Sequence, residues 1–328
     1  MGYSFHVSHW LASILSARTS RLHKEAPSLE RGHPILKFRT LMKTAQKIEL
    51  ARLAYKTVHL GRALANKTDK CIVTRGGIKY DLDLAQGIDF AIYLGNIFER
   101  STRRALSELV EPSATVLDIG ANVGAHTLHL AQCVGPQGNV LAFEPTDFAF
   151  RKLTRNLDLN PQIKSRVKPY NCFLAANDQA EVPTAIYSSW PLTETAQNAA
   201  GEDFHAKHLG QAMPTTTARA QSIDSILVGC GNPRVQLVKL DVDGFECNIL
   251  RGAEMLLRES HPVFVMELAP YVLEERGATL AQLLDVFASN GYRFFNERTK
   301  QQLPSEAAGF DGLIADGESM NVIARTTE

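Results

Sequence analysis

The fold is decided by residues 116–127, which read Val-Leu-Asp-Ile-Gly-Ala-Asn-Val-Gly-Ala-His-Thr. A short apolar run with β-branched residues contains an acid, Asp118, and is followed by Gly120 and Gly124 and then by helical spacing. This pattern predicts a strand, a tight turn and a helix N-terminus, which form a site for a nucleotide-type ligand at the carboxyl end of a parallel strand. We expect Gly120 to permit the turn, because glycine adopts positive φ. We expect Gly124 to let the start of the helix pack close to the strand.

The glycine spacing favours a cationic ligand over a dinucleotide. The pattern Gly-x-Gly-x-x-Gly has a middle glycine so that a pyrophosphate can approach the backbone, and Asn122 occupies that position here. Asp118 would repel a phosphate but suits the ammonium and sulfonium groups of S-adenosylmethionine. Glu144 follows the apolar strand 140–143, where a carboxylate can bind both ribose hydroxyls. We therefore predict S-adenosylmethionine as the cofactor, with a purely structural turn as the alternative.

Three motifs resemble the FkbM family of class I methyltransferases. They are Asp-Ile-Gly-Ala-Asn-Val-Gly at 118–124, Phe-Glu-Pro at 143–145 and Val-Lys-Leu-Asp-Val-Asp-Gly-Phe-Glu at 238–246. The chain has Asp243 where the family more often has Glu, and Phe245 where it usually has Ala. The resemblance implies a Rossmann-like, doubly wound α/β fold with a seven-stranded sheet whose last strand is antiparallel.

The resemblance also implies roles for individual residues. Glu99, in an aromatic–Glu pair at 98–99, corresponds to a family residue that lies over the cofactor. Asp178, with Asn177 beside it, corresponds to the acid that takes the adenine amino group. The family has a lysine at Lys239, which implies that this buried cation lines the site. Two alternatives stay open, a helix N-terminal acid at Glu99 and a plain Asx turn at 177–178.

Several polar residues are predicted to meet at the carboxyl edge of the sheet. Asp241 follows the fourth strand, 235–240, and Glu267 follows the fifth, 262–266. Methyl transfer from a sulfonium depends mostly on positioning, and a hydroxyl acceptor benefits from a general base. Asp241 is the first candidate for the base, followed by Glu267 and by His126, which is alternatively a partly exposed helix residue. Lys239 is expected to hold the base or to bind an acidic acceptor.

The acceptor is predicted to be an oxygen atom. The fold commonly uses Asn/Asp-Pro-Pro-Tyr/Phe after the fourth strand to methylate planar nitrogens, and this chain lacks that motif. We therefore predict O-methylation of a hydroxyl of a sugar, a glycan or another small-molecule natural product. The alternatives are an NAD-dependent oxidoreductase and a non-catalytic protein that binds the cofactor or assists assembly.

The composition limits the partners of this chain. The 328 residues include 35 basic and 35 acidic ones, so no global field attracts nucleic acid. The five cysteines are scattered without Cys-x-x-Cys, which predicts neither a zinc site nor a disulfide framework and fits a reducing, cytoplasmic compartment. No run approaches the ~18–20 apolar residues of a membrane span. No metal is predicted, although His205 and His208 lie near Glu202.

The chain is predicted to divide at residue 66. Residues 1–66 form a helical N-terminal extension, and residues 67–328 form an FkbM-type domain with a β-hairpin at 71–82 and a cofactor-binding core at 112–270. Residues 1–24 lack acids and carry apolar residues at helical spacing. They are a targeting segment, a membrane-surface helix or an interface helix, and a homo-oligomer could form through the N-terminal helices. We also predict strands at 167–173, 183–187 and 216–220, and a substrate-selecting lid at 189–215.

Overall fold

The computed structural model describes residues 44–95, 99–189, 191–193, 210–315 and 317–326. The first half contains α1 (Thr44–Leu64), β1 (Lys70–Arg75), β2 (Ile78–Asp83), α2 (Gly87–Tyr93), α3 (Arg100–Leu109), β3 (Thr115–Ile119), α4 (Thr127–Cys133), β4 (Asn139–Phe143), α5 (Asp147–Asp158), α6 (Pro161–Lys164), β5 (Val167–Tyr170) and β6 (Cys172–Leu174). The second half contains β7 (Ala185–Ser189), β8 (Gln211–Pro214), β9 (Arg219–Gln221), α7 (Ile223–Gly229), β10 (Val235–Leu240), α8 (Glu246–Arg251), a π-helix (Leu256–Ser260), β11 (Val263–Leu268), α9 (Pro270–Glu275), α10 (Leu280–Ser289), β12 (Tyr292–Asn296), a 3-10 helix (Ala307–Phe310) and β13 (Met320–Thr326).

The central sheet has seven strands in the order β12-β13-β11-β10-β3-β4-β5. The pairs from β11 to β5 are parallel, whereas β13 runs antiparallel to β11 and β12. The predicted doubly wound seven-stranded sheet is therefore confirmed, including its antiparallel last strand. Because the strand order reverses at β3, a crevice opens at the carboxyl ends of β3, β4 and β10.

The alternation of strand side chains builds a core on each face of the sheet. Val116 and Leu237 lie in one core, and their neighbours Leu117 and Val238 lie in the other. Residues of α1 to α6 close the first core, and residues of α7 to α10 close the second. These strands are buried on both sides, which explains why they read as nearly continuous apolar runs in the sequence.

The hairpin and α1 pack on the same core as the sheet. The hairpin joins β1 and β2 as predicted. The amide N–H of Lys79 on β2 donates to Oδ1 of Asn160, the residue before α6, at 2.9 Å. On α1, the Tyr55 ring meets the Phe90 ring edge-on with centroids 5.8 Å apart. The Tyr55 hydroxyl donates to Asp69 at 2.7 Å. The predicted boundary at residue 66 therefore falls between two segments that share one core, and the division itself stays a prediction.

Three strand predictions are wrong in detail. The strand expected at 167–173 breaks at Asn171, whose side-chain amide donates to the Glu144 carbonyl at 3.0 Å, and β6 then pairs with β9 outside the main sheet. The strand expected at 216–220 is a turn followed by β9, because the Asp147 carboxylate accepts bonds from Thr216 and Thr217. The strand expected at 183–187 runs instead from Ala185 to Ser189 and pairs with β8.

Candidate active site

The turn after β3 is packed against both neighbouring strands. The amide N–H groups of Gly120 and Ala121 donate to the Phe143 carbonyl at 3.1 and 2.9 Å, and that of Asp241 donates to the Ile119 carbonyl at 3.2 Å. Gly120 has a φ of +78°, and a Cβ there would lie 1.9 Å from the backbone oxygen of Asp241. Glycine is therefore required here both for the turn and for the close approach of the end of β10.

The second glycine of the turn makes room for a helix and not for the strand. Gly124 has a φ of +90°, and a Cβ there would lie 2.7 Å from Cδ1 of both Leu128 and Leu153. The expectation that Gly124 packs close to the strand is corrected accordingly, since Leu153 lies on α5. Between the glycines, Asn122 has a φ of +48°, which asparagine tolerates better than most residues. Its side-chain amide donates to the Ser188 carbonyl at 3.3 Å and so links the turn to β7.

Asp118 faces the interior of the sheet. Its side chain is fully buried, and its Oδ2 accepts a hydrogen bond from the Thr127 hydroxyl at 2.6 Å. Its Oδ1 lies 3.7 Å from Lys239 Nζ. The structure thus does not bring Asp118 to the surface where direct contact with a cationic ligand was expected. It couples Asp118 to the start of α4 and to Lys239, which in turn contacts the glycine turn.

Lys239 is a buried cation held by acids and carbonyls. Its Nζ donates to the Gly120 carbonyl at 2.9 Å and lies 3.3 Å from Asp241 Oδ2. Burial acts to lower the pKa of Lys239, but the carboxylates of Asp241, Asp118 and Glu99 outweigh it, so its pKa lies above the usual range. The ammonium therefore stays charged and fixes both the turn and the Asp241 side chain.

Glu144 is held in place by backbone and hydroxyl donors. Its Oε2 accepts from the Asn122 amide N–H at 2.9 Å, and its Oε1 accepts from the amide and hydroxyl of Thr146 at 2.8 and 2.5 Å. Burial raises the pKa of Glu144, although the Thr146 and Asn122 donors and the Lys239 charge oppose that rise. Because a carboxylate oxygen can accept two bonds, Oε2 retains the capacity to accept a ligand hydroxyl.

A cleft opens over the glycine turn, and we call it the main cleft. The sequence-predicted residues that line it are Gly120, Asn122, His126, Glu144, Lys239 and Asp241. Its apolar lining includes Phe143, Phe173, Leu174 and Ile249. A cleft that combines apolar walls with a few convergent polar groups is the usual form of a site for a small organic ligand.

Phe245, which occupies a position in the third motif where the family usually has alanine, also lines the main cleft. The Phe245 ring meets the Phe173 ring edge-on with centroids 5.1 Å apart, and the Arg276 guanidinium lies 4.4 Å from the Phe245 ring centroid. Beside it, Glu246 begins α8 in a buried position and accepts from the Gly244 amide N–H at 3.3 Å. Burial raises the pKa of Glu246 to about 7, with Asp243 among the charges that raise it further. Sequence reasoning did not assign this residue a role.

His126 and Glu99 form a buried pair at the wall of the main cleft. Their side chains are 7% and 6% exposed, and His126 Nε2 lies 2.8 Å from Glu99 Oε2. Glu99 has a φ of +41° and lies at the position that precedes α3. A carboxylate that holds one ring nitrogen orients the imidazole, which is the arrangement expected of a histidine that exchanges protons. Phe98, the aromatic residue expected beside Glu99, lies outside the described residues.

The residues predicted to bind adenine do not line the main cleft. Asp178 Oδ1 accepts from the Ser222 amide N–H at 2.8 Å, and both carboxylate oxygens accept from the Ser225 hydroxyl. Asn177 Oδ1 accepts from the Gln179 amide N–H at 3.0 Å, which is the Asx turn named as the alternative. The structure therefore places Asp178 at the start of α7, and the adenine role of both residues stays a prediction.

A second, small cavity of about 10 Å³, room for about one water molecule, lies at the carboxyl ends of β10 and β11. We call it the edge cavity, and its lining includes Glu99, Lys239, Asp241, Glu267 and Asn321. β11 extends to Leu268, so Glu267 lies within the strand and not after it. The Ser319 hydroxyl donates to Glu267 Oε1. Asp241 and Lys239 line both the edge cavity and the main cleft, which makes them the wall between the two.

Among the described residues, no group of three or more His, Cys, Asp or Glu side chains is arranged to hold a metal ion. The two histidines and the acid that raised this possibility, His205, His208 and Glu202, lie outside the described residues. Within the described ranges, no helix combines the length and the apolar character needed to cross a membrane.

The sequence analysis assigned no role to several residues that contact the site. Thr127, Thr146 and Ser188 each bond a predicted site residue, and Thr102 and Asn321 bond each other across the edge cavity. Hydroxyl and amide side chains are common on surfaces, so nothing marks these five from their types alone. The acid motif Phe-Glu-Pro could have identified Thr146, since it follows two residues after Glu144 at a helix start.

A class I methyltransferase fold is defined by three features of this chain. They are the order of the sheet, the antiparallel strand β13 next to the edge strand, and the glycine turn beside an acidic cleft. Residues 118–294, more than half of the chain, match the family model of the methyltransferase FkbM domain. The chain belongs to the FkbM methyltransferase family.

Curated relatives share part of this chain. A methyltransferase named sdnD from Sordaria araneosa is 28% identical over 158 residues, which is 42% of this chain and 60% of the relative. The hexuronic acid methyltransferase AglP from Haloferax volcanii is 26% identical over 168 residues, which is 51% of this chain and 61% of the relative. The matches therefore span about three fifths of these relatives. A solved FkbM methyltransferase from Methylobacillus flagellatus is 15% identical, with a TM-score of 0.39 over 72% of this chain and 52% of that chain.

Proposed function

We propose that this chain transfers the methyl group of S-adenosylmethionine to a hydroxyl group of a sugar, a glycan or another small-molecule natural product. The observation that carries the proposal is the position of Asp241 and Lys239, which line the main cleft beside the glycine turn. An acceptor hydroxyl that approaches a cofactor in this cleft would meet these two residues. Family membership and the similarity to AglP, a hexuronic acid methyltransferase, support methyl transfer as the class of reaction.

The residues of the main cleft suit S-adenosylmethionine. The buried Glu144 carboxylate can accept ribose hydroxyls, and the apolar wall near Phe173 can take an adenine face. When bound, the cofactor supplies an electrophilic methyl group on a sulfonium. We assign Gly120, Asn122 and Glu144 to cofactor binding. Asp118 and Gly124 are assigned to maintaining the conformation of the glycine turn.

Asp241 is the proposed general base. It would accept the proton of the acceptor hydroxyl as that oxygen takes up the methyl group supplied by the cofactor. The adjacent ammonium of Lys239, 3.3 Å away, orients the Asp241 carboxylate. His126 is the second candidate for the base, with Glu99 holding its ring. Glu267, which lines the edge cavity, is the third candidate.

Family membership does not favour the alternative of an NAD-dependent oxidoreductase. The cytoplasmic location, the homo-oligomer through the N-terminal helices and the absence of a nucleic-acid partner remain predictions from the sequence. The same holds for the division at residue 66 and for the cofactor-binding core at 112–270.

The cofactor assignment is tested by calorimetric titration with S-adenosylhomocysteine, with NAD as the parallel control. We expect micromolar binding of the first and none of the second. Binding of NAD alone would refute the assignment and revive the oxidoreductase.

The role of Asp241 is tested by the variant Asp241→Asn in an assay of methyl transfer. We expect kcat to fall by about 10²- to 10⁴-fold, the usual contribution of a positioned base, while S-adenosylhomocysteine still binds. Asp285→Asn, an exposed acid on α10, serves as the matched control. An unchanged kcat for Asp241→Asn would move the proton transfer to another residue, and His126→Gln would then be measured next.

A further inference from the structure

We propose that the edge cavity binds one water molecule, and that this water passes the proton of the acceptor hydroxyl from Asp241 to Glu267. This inference rests on the proposed function, because it concerns the proton that methyl transfer to a hydroxyl releases. It goes further in naming the route by which that proton leaves Asp241.

The strand register places the polar lining of the edge cavity on one face of the sheet. Asp241 and Glu267 each follow directly after the last registered pair of the parallel strands β10 and β11. Lys239, two residues before Asp241, shares its face because side chains alternate along a strand. Asn321 is paired with Glu267 across β11 and β13. Since α3 packs against β11 and adds Thr102 to the lining, the cavity lies between α3 and this face of the sheet.

The size and the lining of the edge cavity fit one water molecule. Its volume of about 10 Å³ is about the least that holds a water, which also needs two or more polar partners. The carboxylates of Asp241, Glu267 and Glu99 can accept hydrogen bonds from a water, and the ammonium of Lys239 can donate one to it. Neighbouring strands lie about 4.8 Å apart, so one water with two hydrogen bonds of about 2.8 Å can bridge Asp241 and Glu267.

The charge of Lys239 favours transfer of the proton away from Asp241. Lys239 Nζ lies 3.3 Å from Asp241 Oδ2, and an opposite charge at this distance favours the ionised carboxylate. An ammonium has donors and no acceptor, so Lys239 can orient the water but cannot take up the proton. Glu267 is half-buried, so a proton that reaches it can pass on to solvent.

An occupied main cleft leaves the edge cavity as a polar exit for this proton. Asp241 lines both spaces, and its side chain is 15% exposed. A cofactor and an acceptor in the main cleft would cover the side of Asp241 that faces them. In the relay, the Asp241 carboxylic acid gives its proton to the water oxygen while an O–H proton of the water passes to the Glu267 carboxylate. The water is unchanged, and Asp241 is ionised again.

The water is tested by a crystal structure of the full chain with S-adenosylhomocysteine. We expect an ordered water within about 3.2 Å of carboxylate oxygens of both Asp241 and Glu267. Val265→Ile adds one carbon to the wall of the edge cavity and should displace this water. Val263→Ile, on the same strand but lining neither cavity, is the matched control and should keep it. A parent chain without the water, or with a water that contacts only one of the two carboxylates, would overturn the proposal.

The relay is tested with methyl-labelled S-adenosylmethionine and a dilution series of a small-molecule extract, which gives apparent values of kcat and KM. Glu267→Gln keeps the shape of the side chain and removes the proton acceptor. We expect its kcat to fall about 10-fold, with the apparent KM and the affinity for S-adenosylhomocysteine unchanged within about twofold. Val265→Ile should show the same fall, and Glu254→Gln, an exposed acid outside both cavities, should show none.

Two outcomes separate the relay from the proposed function. Label transfer with a kcat that Glu267→Gln leaves unchanged, or with only a raised KM, overturns the relay and leaves the proposed function standing. If the parent chain binds S-adenosylhomocysteine but transfers no label, the proposed function fails and the relay fails with it.

Discussion

We expect Glu246→Gln to be more stable than the parent chain at pH 8 and about equally stable at pH 4.5. Burial raises the pKa of Glu246 from its ordinary 4.5 to about 7. Between pH 4.5 and about pH 7, the unfolded chain has released the Glu246 proton, whereas the folded chain still binds it. The folded state therefore binds more protons, so this carboxyl group lowers the free energy of unfolding as the pH rises through that window.

The magnitude follows from the two pKa values. Each tenfold change in acid strength is worth about 1.36 kcal/mol, so the difference between 4.5 and about 7 amounts to about 3 kcal/mol at most. In the parent chain the Gly244 amide nitrogen lies 3.3 Å from Glu246 Oε1. The side-chain oxygen of glutamine can still accept this hydrogen bond. We therefore expect a gain of about 1–3 kcal/mol at pH 8, where the folded parent must hold a buried charge, and none at pH 4.5.

The assay is urea unfolding of the full chain at pH 4.5, 6, 7 and 8. Glu254→Gln, the exposed acid on the same stretch of chain, should show no difference that depends on pH. The reasoning is refuted if Glu246→Gln differs from the parent by the same amount at every pH, or if it is the less stable protein at pH 8.

Three further predictions concern the main cleft and its wall. Gly120→Ala should lose several kcal/mol of stability and S-adenosylhomocysteine binding, because the new Cβ would lie 1.9 Å from a backbone oxygen; Gly135→Ala, with a φ of +71° and open space, should lose only the ~1–2 kcal/mol of the left-handed backbone. Glu144→Gln should weaken S-adenosylhomocysteine binding about 10- to 100-fold by calorimetry, and unchanged affinity would contradict its ribose role. Glu99→Gln should lower kcat about 10-fold, because His126 loses the carboxylate that holds its ring, whereas weaker cofactor binding with an unchanged kcat would assign Glu99 to the cofactor.

Local sequence was sufficient for the glycine turn and for the strands that frame it. Gly120 needs positive φ whatever surrounds it, and the apolar runs that end at Ile119, Phe143 and Leu240 are long enough to be buried strands. Because parallel strands end at one edge, their positions alone predicted that Glu144 and Asp241 would share a cleft. The structure brings both residues to the main cleft.

Local sequence failed where a polar side chain had more than one partner within reach. Asp118 and Asp178 are acids after or near strand ends, yet the first bonds Thr127 inside the sheet and the second bonds Ser222 at the start of α7. The strand expected at 216–220 is absent for the same reason. Asp147, 69 residues before Thr216, accepts a hydrogen bond from the Thr216 hydroxyl and so stabilises a turn there.

The sequence by itself determined the fold class, the family and the edge of the sheet that carries the main cleft, since backbone conformation and apolar period act between near neighbours. Only the tertiary structure decided which polar groups meet. It paired His126 with Glu99 across 27 residues and set Lys239 against the Gly120 carbonyl across 119 residues. It also made Asp241 a wall between two cavities. The physical reason is that a buried charge is stable only beside a partner, and that partner is set by how distant segments pack.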